Sequence, residues 1–251
     1  MSHDLTDRVI LITGAAGGLG RSAARHLARC GAVVGVSDIN AKGCDETAAM
    51  IRDAGGQAHS FPADLSSRDS FLAVADSLAR AAGRIDAVVN NAALLVYEKI
   101  EDVREETVDR MIGIGLKAPM WGAQALLAHY DPQRGGVIIN FASVVAYKGF
   151  PGAAVYSAIK GALISLTRVL AAELGPRNVR VNAVAPGSVP TPGALKYVDQ
   201  KEYERRAATI PLRRIGREED IDHALAYLLS KEASFVNGAV LNVDGGIVAA
   251  G

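Results

Sequence analysis

The stretch "RVILITGAAGGLGRSAARHLARC" (residues 8–30) decides the fold. It opens with "RVILIT" (8–13), an apolar, β-branched run typical of a strand buried on both faces. The glycine-rich turn "TGAAGGLG" (13–20) follows. An amphipathic run then predicts a helix over 20–30, with Gly31 as its stop. A strand, a turn and a helix in this order predict the first unit of an α/β sheet.

The same alternation continues along the chain. Apolar runs predict strands over 32–37, 57–62, 86–90, 136–143, 179–186 and 239–246, and amphipathic stretches predict helices over 41–54, 67–82, 104–130 and 154–175. Continuous apolar strands separated by helices predict a doubly wound, mostly parallel sheet of the Rossmann type, with helices on both faces. Because the sequence has no repeat and no Pro- or Ser-rich linker, it predicts a single domain over residues 1–251.

Composition narrows the classes of partner. Lys+Arg and Asp+Glu both number 27, so the formal net charge is zero and nothing indicates a nucleic-acid partner. We find no apolar run long enough to span a membrane and no signal peptide at "MSHDLTDRV". Cys30 and Cys44 lack metal-ligand spacing, so we expect no metal site, two reduced thiols and a cytoplasmic location.

The glycine-rich turn is a candidate phosphate site. Glycines permit a tight turn and close approach of a pyrophosphate, and the helix that follows offers free N–H groups at its N-terminus. Two glycine patterns fit equally well. One uses Gly14, Gly18 and Gly20, and the other uses Gly14, Gly17 and Gly20. Spacing alone does not choose between them.

Asp38 ends the second predicted strand, where a carboxylate can accept hydrogen bonds from the adenosine ribose. The same charge would repel a 2′-phosphate, and no Arg or Lys adjoins it in "VSDIN" (36–40). The sequence therefore predicts NAD as the cofactor in preference to NADP. The alternative is that Asp38 is simply the N-cap of the next helix.

"YSAIK" (156–160) places Tyr156 and Lys160 on one face of a predicted helix. A nearby ammonium is expected to lower the pKa of a phenol from about 10, which would let it act as a general acid or base. Such a pair is often only a surface contact. Ser143 favours a site, because it ends a predicted strand at the carboxyl edge where open α/β sheets bind ligands.

Together these segments resemble the short-chain dehydrogenase/reductase family, in its shorter single-domain branch. The resemblance covers essentially the whole chain and favours the spacing Gly14, Gly18 and Gly20. It rests on "TGAAGGLG", Asp38, "ADL" (63–65), "NNA" (90–92), Ser143, "YSAIK", "PG" (186–187) with Thr191, and "VDGG" (243–246).

The resemblance implies roles for these residues. Tyr156 would be the catalytic acid/base, Lys160 would hold the nicotinamide ribose and lower the pKa of Tyr156, and Ser143 would orient the substrate oxygen. The cofactor-binding residues that it implies are Gly14, Gly18, Leu19, Gly20, Asp38, Ile39, Asp64, Leu65, Asn91, Ala92, Tyr156, Lys160, Pro186, Gly187, Val189 and Thr191.

The implied activity is hydride transfer between NAD(H) and a small secondary alcohol or ketone, in a homotetramer. One alternative is an NADP-dependent 3-oxoacyl thioester reductase. The other is a cofactor-binding protein with vestigial activity. The polar segment over about 188–216 is expected to be a substrate lid, because long excursions of this kind tend to be functional.

One segment departs from the family's pattern. The family carries a catalytic Asn in a setting like V-N-L-K-[AG], and "IGLKA" (114–118) has Gly115 at that position. In the family this Asn acts largely through its main-chain carbonyl, which holds a water in a proton relay. Pro119 has no N–H for the Gly115 carbonyl four residues earlier. We therefore predict a helix break near 113–119, with a water on the Gly115 oxygen; the alternative is a tolerated kink and a lost relay.

Overall fold

A single parallel sheet organises the chain. The computed structural model describes residues 3–196 and 198–250, and in them the strands lie in the order β3-β2-β1-β4-β5-β6-β7. Every neighbouring pair is parallel, which confirms the predicted sheet. The strands are β1 (Val9–Thr13), β2 (Val33–Ser37), β3 (Gln57–Ser60), β4 (Ala87–Asn90), β5 (Gly136–Phe141), β6 (Val179–Pro186) and β7 (Val240–Val243).

Helices cover both faces of this sheet, as predicted. Apolar residues of α1, α2 and α8 pack together on one face, and those of α3, α5 and α6 pack on the other. The helices are α1 (Gly18–Arg29), α2 (Ala41–Asp53), α3 (Arg68–Ala82), α4 (Glu105–Ile112), α5 (Ala118–His129), α6 (Ala154–Leu174), α7 (Gln200–Thr209) and α8 (Glu218–Leu229). The central strands β1, β4 and β5 are buried along their whole length, which explains their continuous apolar sequences.

Local side-chain chemistry sets several helix ends. The Asn40 side chain accepts a hydrogen bond from the Gly43 N–H at 3.1 Å, so Asn40 is the N-cap of α2 and Asp38 is not. Gly31 follows α1 with a φ of +98°, as expected of a glycine stop. Asp199 caps α7, which lies inside the predicted lid segment.

The last strand is shorter than its sequence predicts. Strand β7 ends at Val243, although the apolar run indicated a strand over 239–246. The Asp244 carboxylate accepts hydrogen bonds from the N–H groups of Gly246 and Val248, and Gly245 and Gly246 have φ values of +66° and +91°. A turn with left-handed residues ends the strand here.

The predicted long helix over 104–130 is interrupted where its sequence is rich in glycine. A π-helical turn over Gly113–Lys117 separates α4 from α5, and the Ala118 N–H donates to the Gly113 carbonyl five residues back. Pro119 then occupies the first turn of α5. The predicted break is confirmed, and π-turns of this kind are frequent at functional sites.

Two further expectations concern the cysteines and segments that could span a membrane. Cys30 and Cys44 are buried free thiols, as expected. By length and composition, Ala154–Arg177 is apolar enough to cross a membrane. In the fold, however, this segment packs against β6 and contributes Ala171 and Leu174 to the core.

Candidate active site

The candidate site lies at the carboxyl edge of the sheet. The strand order reverses between β1 and β4, and ligands of doubly wound sheets bind at such a switch point. The glycine turn follows β1, Asn91 follows β4, Ser143 follows β5, and Gly187 follows β6. The fold therefore brings the separate sequence motifs to one edge.

The glycine turn is too closely packed for side chains at two of its positions. A Cβ on Gly14, where φ is +68°, would lie 2.7 Å from the Ala92 Cα, and a Cβ on Gly20 would lie 2.2 Å from the Gly14 carbonyl oxygen. Gly18 has a φ of +50°, whereas Gly17 is extended and has open space around its Cβ position. The backbone therefore requires glycine at 14, 18 and 20 and leaves 17 unconstrained.

Asn91 fastens the glycine turn to the end of β4. Its Nδ2 donates to the carbonyls of Thr13 at 2.9 Å and Gly14 at 3.1 Å. The Ala92 N–H donates to Thr13 Oγ1 at 3.0 Å. These bonds fix the turn in front of the first N–H groups of α1, which have no side-chain cap.

The segment after β6 closes the other side of the glycine turn. A Cβ on Gly18 would lie 3.3 Å from the Thr191 Cβ, so Thr191 sits directly over the start of α1. Val189 is buried, and a Cβ on Gly187 would meet the Asp244 Cα at 2.8 Å. Pro186, Gly187, Val189 and Thr191 thus lie together at the end of β6, where the resemblance places the nicotinamide end of a cofactor.

A cavity of about 260 Å³ opens beside the glycine turn. Six of its lining residues are predicted cofactor-binding residues: Gly14, Asp38, Ile39, Asp64, Leu65 and Ala92. The Asp38 carboxylate accepts hydrogen bonds from the N–H groups of Asn40 at 3.0 Å and Ala16 at 3.3 Å, which hold it at the cavity. Arg110 and Ile114 of the α4 region complete the wall, and no motif in the sequence had indicated them.

Ser143, Tyr156 and Lys160 meet where β5 and α6 converge. The Ser143 side chain interacts with the Tyr156 hydroxyl and favours its ionised form. Lys160 lies one helical turn further on, with its Nζ 5.5 Å from the centre of the Tyr156 ring. Its ammonium donates to the Phe141 carbonyl at 2.5 Å, and only 3% of the residue is exposed.

Burial dominates the protonation of this group. Desolvation raises the pKa of Tyr156 above its usual range, the nearby Tyr97 raises it further, and the hydrogen bond with Ser143 lowers it. Burial therefore opposes the lowering that the Tyr/Lys spacing predicts. Desolvation also lowers the pKa of Lys160 to about 8, so this ammonium can lose its proton at moderately alkaline pH.

A buried polar chain holds α6 on the sheet. Asn90 Nδ2 donates to Asn140 Oδ1 at 2.9 Å, and Asn140 Nδ2 donates to Thr167 Oγ1 at 3.0 Å. These residues belong to β4, β5 and α6. Buried side chains that are hydrogen-bonded to one another are held rigidly, so this chain fixes the helix that carries Tyr156 relative to the strand that precedes Ser143.

Sequence reasoning missed one aromatic neighbour of Tyr156. The Tyr97 ring meets the Tyr156 ring edge to face, with 6.2 Å between their centres. Tyr97 lies in the irregular segment after β4. A tyrosine at that edge of the sheet was the available signal, but only the packing shows that it faces Tyr156.

Comparisons with known proteins agree with this geometry. The family profile described as "Enoyl-(Acyl carrier protein) reductase" matches residues 14–248. The chain is 36% identical over 247 residues to a cyclopentanol dehydrogenase of Comamonas sp. (strain NCIMB 9872), covering 98% of each chain.

Two solved structures from Brucella melitensis have closely similar folds. One is a 3-ketoacyl-(acyl-carrier-protein) reductase complexed with NADH, with a TM-score of 0.91, 32% identity, and coverage of 98% of this chain and 100% of the other. The second is a short-chain dehydrogenase/reductase of glucose/ribitol dehydrogenase type, with a TM-score of 0.92, 31% identity, and coverage of 98% and 99%. The chain belongs to the short-chain dehydrogenase/reductase family, whose members are oxidoreductases that bind nicotinamide cofactors.

Proposed function

We propose that the protein oxidises a small secondary alcohol to a ketone with NAD, and reduces the ketone with NADH in the reverse direction. The observation that carries this proposal is the meeting of the Ser143 and Tyr156 side chains at the carboxyl edge of the sheet, with Lys160 one turn further along α6. The cyclopentanol dehydrogenase relative supports an alcohol as the substrate class.

The proposed chemistry divides between cofactor and protein. When bound, NAD supplies the hydride acceptor. The Ser143 hydroxyl holds the substrate oxygen beside the Tyr156 phenol. In oxidation, the Tyr156 phenolate takes the hydroxyl proton as the carbinol carbon gives up its hydride. In reduction, the neutral phenol donates that proton to the ketone oxygen. The Lys160 ammonium stabilises the negative charge on Tyr156.

The described residues fit a dinucleotide. Gly14 and Gly20 have no side chains, and a Cβ at either position would clash with neighbouring protein atoms. Because no side chain covers the backbone of this turn, a pyrophosphate can approach it at the start of α1. Asp38 borders the neighbouring cavity and is free to accept hydrogen bonds from ribose hydroxyls, because it does not cap α2. Its charge supports NAD in preference to NADP.

We extend the proposal to Gly115 as part of the proton path. Pro119 cannot donate to the Gly115 carbonyl, and the π-helical turn displaces the neighbouring bonds of the helix. A carbonyl without an N–H partner four residues on is a natural acceptor for water. In this proposal Gly115 supplies the main-chain oxygen of the relay without an Asn side chain.

The remaining expectations concern the setting of the reaction. We propose that the segment over about 188–216, which contains α7, is a lid over the substrate. Apolar side chains exposed on α5 and α6, such as Met120 and Val169, suit a homotetramer. The two free thiols, Cys30 and Cys44, support a cytoplasmic location.

A 3-oxoacyl thioester reductase is the second candidate, because one solved neighbour is a 3-ketoacyl-(acyl-carrier-protein) reductase. The decisive experiment is a turnover screen with a panel of secondary alcohols, cyclopentanol included, and a 3-oxoacyl thioester, each with both cofactors. We expect alcohol oxidation with NAD. Turnover confined to the thioester with NADPH would establish the second candidate, and no turnover with any pair would leave a vestigial enzyme.

A further inference from the structure

Gly115 touches α6 at one point. A Cβ on Gly115 would lie 2.8 Å from Ile159 Cγ2, 3.6 Å from its Cδ1 and 4.0 Å from its Cβ. Both residues are buried, and they belong to different elements, the π-helical turn and α6. The γ-methyl of Ile159 therefore occupies the space that any side chain at position 115 would need.

Space, and not backbone conformation, makes position 115 a glycine. Among the glycines that the structure describes, ten have positive φ values and Gly115 is not one of them, so an L-residue could adopt its backbone conformation. The obstacle is the methyl group. An isoleucine in a helix keeps one strongly preferred χ1 rotamer, so Cγ2 cannot swing away cheaply. A side chain at position 115 would have to push α6 away from the π-helical turn.

The contact lies beside the reacting groups. Ile159 directly precedes Lys160 and lies three residues after Tyr156. The Lys160 ammonium is held by the Phe141 carbonyl and is almost wholly buried. The Gly115–Ile159 contact therefore sets how closely α6 approaches the π-helical turn at the level of Lys160, and it keeps the space next to Lys160 apolar.

We propose that Ile159 is a positioning residue for Lys160, and that Gly115 and Ile159 form a matched pair. In this inference, which rests on the proposed function, Ile159 fills the space where the family pattern places the Asn side chain, and glycine at 115 is what admits it. Restoring Asn at 115 alone would then misplace Lys160. Gly115→Asn would give a functional enzyme only in a variant in which residue 159 lacks Cγ2.

The packing part is tested by thermal unfolding of Gly115→Ala in four backgrounds: the wild type, Ile159→Val, Ile159→Leu and the control Ile164→Leu. Alanine favours a helix over glycine, so without the contact this substitution would raise the melting temperature. We expect it to lower the melting temperature in the wild type and with Ile159→Val, which keeps Cγ2. With Ile159→Leu, which removes Cγ2, the loss should disappear. Ile164→Leu is the matched control, because Ile164 is equally buried on α6 but packs near Ala142 and Ala183. Equal losses in every background would overturn the pairing.

The positioning part is tested by kinetics. Gly115→Asn alone should lower kcat about tenfold, the order expected for a displaced catalytic group. The double variant Gly115→Asn/Ile159→Leu should recover most of that loss. Because the resemblance implies that Lys160 holds the nicotinamide ribose, the dissociation constant for NADH, measured by fluorescence, should rise in Gly115→Asn and recover in the double variant. A gain in kcat with Gly115→Asn alone would contradict the proposal.

A pH profile separates positioning from simple loss of stability. Ile159→Ala should admit water beside Lys160 and move the alkaline fall of the reduction rate upward by about one pH unit. Ile164→Ala should lose similar stability without that movement, and movement in both would refute the role of Ile159. If the wild type turns over no alcohol, the proposed function fails, while the melting experiment still decides the pairing.

Discussion

Removing the charge of Asp38 should reverse much of the proposed preference for NAD. The variant Asp38→Asn keeps the shape of the side chain and an oxygen that can accept the Asn40 N–H, which the native carboxylate accepts at 3.0 Å. It removes the negative charge at the cavity that also contains Gly14, Ile39 and Asp64, and with it the long 3.3 Å hydrogen bond from the Ala16 N–H, which an amide nitrogen cannot accept. Folding should be little affected, so changes in binding report on the charge.

The size of the effect follows from the position of Asp38. Two unit charges about 4 Å apart interact by about 4 kcal/mol at an effective dielectric constant of about 20. Asp38 is partly exposed, so water screens the repulsion of a 2′-phosphate to about half of that value, or roughly 30-fold in affinity for NADPH. Loss of a charged acceptor for the ribose hydroxyls should weaken NADH binding by about 1.5 kcal/mol, which is roughly tenfold.

The assay is fluorescence titration of both reduced cofactors, which measures dissociation constants without a substrate. We expect the ratio of the NADPH constant to the NADH constant to fall by roughly 300-fold, the product of the two effects. Asp64→Asn is the matched control, because it removes the same charge from the same cavity. The family resemblance implies that Asp64 contacts the adenine, which both cofactors share, so the ratio of the two dissociation constants should not change in Asp64→Asn. A ratio that moves less than about threefold in Asp38→Asn, or equally in both variants, would refute this account of Asp38.

Two further predictions concern protonation. Burial raises the pKa of Tyr156, so alcohol oxidation should speed up as the pH rises and Tyr156 loses its proton. Burial lowers the pKa of Lys160 to about 8, so ketone reduction should slow above about pH 8 as Lys160 loses its charge. Rates measured in both directions from pH 6 to 10 check this, and flat profiles would contradict it. Asp222 is 1% exposed, and burial raises its pKa to about 6. The folded state therefore binds the proton of Asp222 more tightly than the unfolded state does, so the stability of the fold decreases as the pH rises from about 4 to 6. Asp222→Asn keeps the partner of Ser22, which donates to the carboxylate at 2.6 Å, and should raise the free energy of unfolding by up to about 3 kcal/mol at pH 7. Urea unfolding at pH 4 and pH 7 measures this; a gain of equal size at both pH values would show that the charge of Asp222 is not its source.

Features encoded by residues close together in the sequence could be predicted without the structure. Continuous apolar runs predicted the parallel strands, because strands covered on both faces have no polar side. The glycine turn was readable as a turn, although its spacing left Gly17 and Gly18 equivalent until the φ values separated them. Pro119 and its neighbouring glycines predicted the break in the helix, because proline cannot donate the backbone hydrogen bond.

Features that depend on packing between distant segments were not readable. The contact of Ile159 with Gly115 joins positions 44 residues apart, and no periodicity encodes it. Tyr97 beside Tyr156 and Arg110 at the cofactor cavity are further examples. The pKa of Tyr156 also depends on packing between distant segments. The Tyr/Lys spacing predicted a lowered phenol pKa, whereas the depth of burial, which only the fold determines, acts in the opposite direction.

The central claim is that Tyr156 transfers the proton while the cofactor carries the hydride. The most direct measurement compares the wild type with Tyr156→Phe, both for turnover of a secondary alcohol with NAD and for the dissociation constant of NADH. Phenylalanine keeps the ring against Tyr97 and removes only the hydroxyl that bonds to Ser143. We predict a loss of turnover of about 10²- to 10⁴-fold with NADH binding changed less than about threefold. Turnover retained within about tenfold would contradict the assignment of Tyr156 as the acid and base.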